Sequence, residues 1–230
     1  MTKALIFDVD GTLAETEELG HRVAFNYAFQ HMGFSDYWSQ SDYKQLLKID
    51  GGKERIQHYW RSTQHPDAEN TKLICRIHQQ KTAFYQEIVE RGTIELRPGV
   101  EDLIKSAVSN DIRLAIATTT SYANIANLLG SLGNSITLDC FDFIACAENV
   151  PKKKPAPDVY LLALKELGLS ADQVIAFEDN QNGLFAANAA GIEKVVVAPT
   201  FLNKGENFSS AWQELSDLRE FSFEPEAMLA

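Results

Sequence analysis

Asp8 and Asp10 stand at the end of a short apolar run, Ala4-Leu5-Ile6-Phe7, and are followed by Gly11 and Thr12. An unbroken apolar run is the pattern of a parallel strand buried on both faces. Two carboxylates leaving such a strand repel each other and resist desolvation unless a cation or a ligand compensates. Gly11 lets the backbone turn where a side chain would obstruct it. This arrangement suggests a nucleophile, a proton-transfer group and a metal site. Taken alone, the same residues also fit an acidic turn that merely opens a loop. The reading therefore rests on what the rest of the chain brings to the same edge.

Three more segments supply complementary groups. The apolar run at residues 114–117 ends in Thr118 and Thr119, which offer a hydroxyl and backbone N–H donors for phosphate oxygens. The run at 174–177 ends in Glu178 and Asp179 just before a small-residue helix. Between them Lys152, Lys153 and Lys154 lie in a loop stiffened by Pro155 and Pro157. One chemistry that would use all of these groups is phosphoryl transfer, although alone the Lys-Pro turn also fits a solvated helix start and the threonines a strand-end cap. A dianionic phosphate beside Asp8, Asp10 and Asp179 makes positive charge compulsory, since like charges about 4 Å apart repel by roughly 4 kcal/mol at an effective dielectric of 20. A hard divalent cation, Mg2+, suits carboxylate ligands, and a lysine completes the neutralisation from the other side. Either Lys153 or Lys154 could be that lysine.

Stepping out from these residues, the flanks alternate strand and helix while the middle is helical throughout. Strands are expected at 4–7, 114–117, 141–145, 174–177 and 195–197, with helices running from the 97–100 turn to about 109 and at 122–132, 157–167 and 182–190. Ligands of open parallel sheets bind at the carboxyl ends of strands, where all the groups above fall. The interval 15–93 reads as helices at 15–32, 41–48, 53–62 and 68–91. Their apolar stripes are Leu19, Val23, Phe25, Ala28 and Phe29 in the first, and Leu73, Ile77, Phe84, Ile88 and Val89 in the last. The fold class is thus α/β, a doubly wound parallel-sheet core of residues 1–14 and 94–230 with an inserted α-helical cap of residues 15–93. The tail from residue 208 is expected to hold a short helix. Within the cap, Gly51 and Gly52 precede a helix start that carries Lys53 and Arg55. Exposed N–H groups and two cations there make a second anion site, or else an ordinary helix–helix turn with solvated charges. His21 reads as a structural helix residue.

At 230 residues the chain suits one core plus an insertion, and 45% apolar with 23% charged residues is ordinary for a globular protein. A net charge of −11 argues against nucleic acid or anionic membrane as a partner. Three scattered cysteines without a C-x-x-C pair fit free thiols in a reducing compartment. No apolar run is long enough to span a membrane and no signal-peptide pattern opens the chain, so a cytoplasmic monomer is expected.

The order D-x-D-G-T, then Thr118, then Lys-Pro, then Glu-Asp resembles the four motifs of the haloacid dehalogenase superfamily, over essentially the whole chain. The resemblance implies that Asp8 is a nucleophile forming an aspartyl-phosphate. Asp10 would protonate the leaving oxygen, then activate water, and ligate Mg2+ through its carbonyl. It further implies that Thr118 and Lys154 hold the phosphate, and that Asp8, Asp10, Asp179 and Glu178 make or support the metal site. The stretches 14–18, 21–26, 46–55, 97–99, 117–121 and 178–183 are similar to the CbbY-type phosphatases of that superfamily, with Gly20 one residue more than their pattern. That likeness implies removal of one phosphate from a sugar bisphosphate, xylulose-1,5-bisphosphate above all. Glu17, Gly51, Gly52, Lys53 and Arg55 would then grip the sugar and its distal phosphate, and Thr119 the reacting one. A phosphomutase of the β-phosphoglucomutase kind, or a phosphatase for another small ester such as phosphoglycolate, stays open.

Overall fold

A computed structural model describes residues 2–49, 51–132 and 136–222. The chain divides into two compact units, Met1–Glu15 with Ile94–Ala230, and Thr16–Thr93. In the first unit six strands form one parallel sheet in the order β3-β2-β1-β4-β5-β6. They are β1 (Ala4–Phe7), β2 (Arg113–Ala117), β3 (Phe143–Ala145), β4 (Val174–Glu178), β5 (Val195–Val197) and β6 (Gln213–Glu214).

β1 lies between β2 and β4, with Phe7 level with Ile116 on one side and Phe177 on the other. All four of its side chains are buried, which is why it carries no polar residue until it leaves the sheet. Alternate strand residues Ala4, Ile6, Ala115, Ala117, Val174, Ala176, Val195 and Val197 form one core face with helices Asp158–Leu167 and Gln181–Ala189. The small alanines let those helices sit close. On the opposite face Phe7 and Phe177 stack at 4.7 Å, and helix Val100–Ser109 packs on β2. Helices on both faces make the sheet doubly wound, as expected.

In chain order the helices are α1 (Arg22–His31), α2 (Gln40–Leu46), α3 (Gly52–Ser62), α4 (Thr71–Glu90), α5 (Val100–Ser109), α6 (Tyr122–Ser131), α7 (Asp158–Leu167) and α8 (Gln181–Ala189). The Thr16–Thr93 unit holds α1 to α4 and no strand among its described residues. Its interior is aromatic, with Phe25 and Phe29 against Trp38 at 4.5 and 5.1 Å between ring centres. Ser39 and Asp42 cap α2 reciprocally.

Four expectations need correction. The single helix at 15–32 is broken: Glu17–His21 is a π-helical turn in which the Arg22 N–H reaches back five residues to the Glu17 carbonyl. A π turn is how a helix absorbs one additional residue, and buried Gly20 fits the widened turn without a side chain. The buried stripe of α1 is Ala24, Phe25, Ala28 and Phe29, leaving Leu19 48% exposed. The stripe of α4 is Ile74, Ile77, Lys81, Tyr85, Ile88 and Val89. Lys81 in its middle disguises the period, so Leu73 and Phe84 fall to its flank. Among the described residues of the tail, 208–222, the expected helix gives way to the edge strand β6 and a single turn at Leu218–Glu220; residues 223–230 lie outside the described residues. The free edge of β5 captures β6, Trp212 and Leu215 donating to the Val195 and Val197 carbonyls at 2.9 and 2.8 Å. Among the described residues no helix is long and apolar enough to cross a membrane.

Candidate active site

The polar residues of the core gather where the backbone ladder runs out. The Asp8 N–H makes the last rung of β1, donating to the Phe177 carbonyl at 3.0 Å. The neighbouring chain end offers Glu178 and Asp179, both essentially inaccessible. Glu178 closes β4, its carbonyl accepting from Ala198 at 2.9 Å. Each carboxylate is thus aimed by backbone that the sheet has already fixed.

Lys154 binds them together. Its ammonium donates to Asp8 Oδ1 at 2.7 Å and to Glu178 Oε1 at 2.6 Å, all three side chains being buried. Lys153 is exposed, so Lys154 is the lysine that meets the carboxylates. Tyr160 from α7 donates its hydroxyl to the same Glu178 oxygen. Burial, then the Glu178 charge, pushes that phenol well above its ordinary pKa, so it stays a donor. Burial pushes the Asp8 carboxyl up to about 7, with Lys154 opposing the shift and Glu178 adding to it. Burial works against the Lys154 charge too, but Asp8 and Glu178 outweigh it and hold the ammonium above its usual range.

Asp8, Glu178 and Asp179 present ligand oxygens all within 4.8 Å of one another. With all three ionised and one ammonium beside them, two negative charges are left over. Glu178 Oε2 is moreover buried with no hydrogen-bond partner among the described residues, an arrangement that a polar group tolerates only when something else satisfies it. Hard oxygen donors carrying an excess of two negative charges fit a divalent cation such as Mg2+. Two glycines keep this space open. A side chain at Gly11, whose φ is +80°, would run into the Asp179 carboxylate, and one at Gly183 into that of Glu178.

The remaining core residues take more varied places. Thr118 is buried at the end of β2, but its N–H is used in the sheet, donating to the Ala145 carbonyl at 2.9 Å. The expected pair of backbone donors therefore shrinks to Thr119, while the Thr118 hydroxyl accepts the Thr120 N–H at 3.3 Å. Asp10 follows on the turn beyond Asp8, half-buried. Arg97 pins that turn, donating to the carbonyls of Gly11, Ala198 and Pro199.

In the helical unit the expected anion site is only partly assembled. Lys53 is exposed, in the first turn of α3 behind Gly51 and Gly52. Arg55 is largely built into the fold: Nε donates to the carbonyls of Leu46 and Ile49 at 3.1 and 3.4 Å, and Nη1 to the Tyr43 hydroxyl at 3.0 Å. Tyr43 in turn donates to Glu17 Oε2 at 2.5 Å. Lys81, buried on α4, lies 2.8 Å from His21 Nδ1. Burial, then Lys81 and Lys53, pushes the His78 imidazole down to about 4, and its ring leaves no room for a side chain at Gly52.

Sequence reasoning missed Tyr43, Tyr160, Lys81 and Asn203, the last donating to Asp179 Oδ2 at 2.5 Å. Only Lys81 carried a usable signal, a charge breaking an otherwise apolar helical stripe.

Known proteins are similar to this chain over most of its length. The model of the family "haloacid dehalogenase-like hydrolase" matches residues 5–197. Protein CbbY of Rhodobacter capsulatus is 47% identical over 216 residues, covering 94% of this chain and 93% of the relative. A crystal structure of mutant CbbY from Rhodobacter sphaeroides in complex with xylulose-(1,5)bisphosphate is 42% identical, with a TM-score of 0.84 over 96% of both chains. β-Phosphoglucomutase of Clostridium difficile shares the fold, with a TM-score of 0.78 at 24% identity over 97% of this chain and 94% of that one. With the match spanning most of the chain and the carboxylates and lysine gathered at one sheet edge, the protein belongs to the haloacid dehalogenase-like hydrolases.

Proposed function

We propose that the protein is a phosphatase that removes one phosphate from a sugar bisphosphate, xylulose-1,5-bisphosphate first among the candidates. The observation that carries this is the Lys154 ammonium held between Asp8 and Glu178 beside Asp179. The substrate is suggested by the CbbY complex and by the extent of the likeness to CbbY.

In this reading Asp8 attacks phosphorus, so that an aspartyl oxygen–phosphorus bond forms as the sugar oxygen–phosphorus bond breaks. Asp10 gives its proton to the departing sugar oxygen. Asp10 then takes a proton from water, which attacks phosphorus and frees Asp8 and inorganic phosphate. Lys154 offsets the charge that crowds around Asp8, and the Thr118 hydroxyl and Thr119 N–H hold phosphate oxygens. Asp8, Asp179, Glu178 and the Asp10 carbonyl would hold Mg2+, which when bound supplies the positive charge the carboxylates lack. Residues 1–14 and 94–230 do the chemistry. Residues 15–93 select the substrate, Glu17, Gly51, Gly52, Lys53 and Arg55 serving the sugar and its non-reacting phosphate.

The test is phosphate release with Mg2+ from xylulose and ribulose bisphosphates, phosphoglycolate and glucose phosphate. Stoichiometric phosphate from xylulose bisphosphate, in preference to the others, is the expected result. An isomerised sugar phosphate without release would make the enzyme a mutase instead.

A further inference from the structure

The loop that follows β5 returns one amide side chain to the sheet's edge. Asn203 is 7% exposed, and its Nδ2 donates to Asp179 Oδ2 at 2.5 Å. Asn180 donates from its own Nδ2 to Oδ1 of the same carboxylate at 2.7 Å. The Asn180 amide cannot turn over without loss, because its Oδ1 caps α8 by accepting the Gly183 N–H at 2.9 Å. The Asn203 backbone is tied on both sides, its N–H to Thr200 at 3.1 Å and its carbonyl to Glu206 at 3.2 Å. A carboxylate gripped at each oxygen by a separately anchored amide has one rotational setting. The directions of its oxygen lone pairs are then fixed.

We infer that Asn203 is a positioning residue for divalent-cation binding: it holds Asp179 in the setting in which that carboxylate joins Asp8 and Glu178. The inference rests on the proposal that Mg2+ occupies this site. A ligand already oriented loses no rotational freedom when the cation arrives, which is why such supporting contacts raise affinity. An amide suits the task because it donates without adding a further negative charge to a cluster already rich in them. Losing Asn203 would remove one of the two anchored amides that grip this carboxylate.

Titration calorimetry of the full chain with Mg2+ alone, without substrate, tests this. Asn203→Leu keeps the volume and removes the donor, and should weaken Mg2+ binding by about 10–100-fold. Asn203→Ser, too short to reach, should do the same, and the loss in kcat at saturating Mg2+ should be smaller than the loss in affinity. A general lesion of the fold would lower both together. In the unmutated chain the Asn203 side-chain NH2 resonances should shift when Mg2+ is added. Wild-type Mg2+ affinity in the folded variants, or unmoved Asn203 resonances in a chain that binds Mg2+, overturns the inference. Failure of the unmutated chain to bind Mg2+, or undiminished binding by Asp179→Asn, overturns the metal site itself.

Discussion

At the sheet's edge Asp8, Thr118 and Glu178 start where backbone ladders end, so strand register sets their spacing. In the helical unit Glu17, Tyr43 and Arg55 meet through their own side chains, from three different segments. The first group is buried, with one ammonium facing an excess of carboxylate. In the second, buried Tyr43 lies between half-buried Glu17 and Arg55, and the cation is shared with backbone carbonyls. Under the proposed function the contrast would separate two tasks, a fixed electrostatic environment for bond making and a surface for choosing among sugars.

The sharpest way to break the contrast is at Asp8. Asp8→Asn removes the attacking oxygen and one crowded charge, so phosphate release should fall on the order of 10^4-fold. The circular dichroism spectrum should stay unchanged. Retained turnover would remove Asp8 from the chemistry. Lys154→Met comes next, since it leaves two buried carboxylates without their cation. Urea unfolding of the metal-free protein at pH 8 should show a loss of about 3–5 kcal/mol. A loss below about 1 kcal/mol would mean the pair is solvent-screened after all.

The Asp8 shift gives a pH signature. Its carboxyl is raised from 3.8 to about 7 in the folded, metal-free protein. The folded state therefore binds its proton more tightly than the unfolded state. That contribution to stability is full below pH 3.8 and is lost as pH rises through about 7. Mg2+ needs the ionised form, so its apparent affinity should climb over the same window with proton release, read as a buffer-dependent binding enthalpy. Pure pH-independent binding would contradict the raised pKa. The smallest effect belongs to the helical unit. Lys53→Ala should leave stability within about 0.5 kcal/mol, yet raise KM about tenfold for a bisphosphate and much less for a small monophosphate. Equal changes for both substrates would argue against a distal-phosphate role.

What was legible in the sequence follows the same division. Asp8, Glu178 and Lys154 could be read because carboxylates at the end of an apolar strand demand a counter-charge, and the chain order supplies one. Asn203 could not, because a single amide in an irregular loop carries no period and its partner Asp179 lies far off in sequence. Tyr43 carried no signal either, although its hydroxyl joins Glu17 to Arg55. The strands were legible as apolar runs, whereas β6 has no such run and exists because β5 offers an edge. Arg55 read as a free cation because nothing in the sequence shows that the carbonyls of Leu46 and Ile49 would claim it.

The central place of β1 has a consequence for how the protein is made. β1 pairs with β2 and β4, which are synthesised after the whole helical unit. Asp8 therefore emerges before Lys154 and Glu178, the charged groups that later surround it. The buried charge cluster exists only once the sheet is complete. Such long-range closure also makes for slow folding.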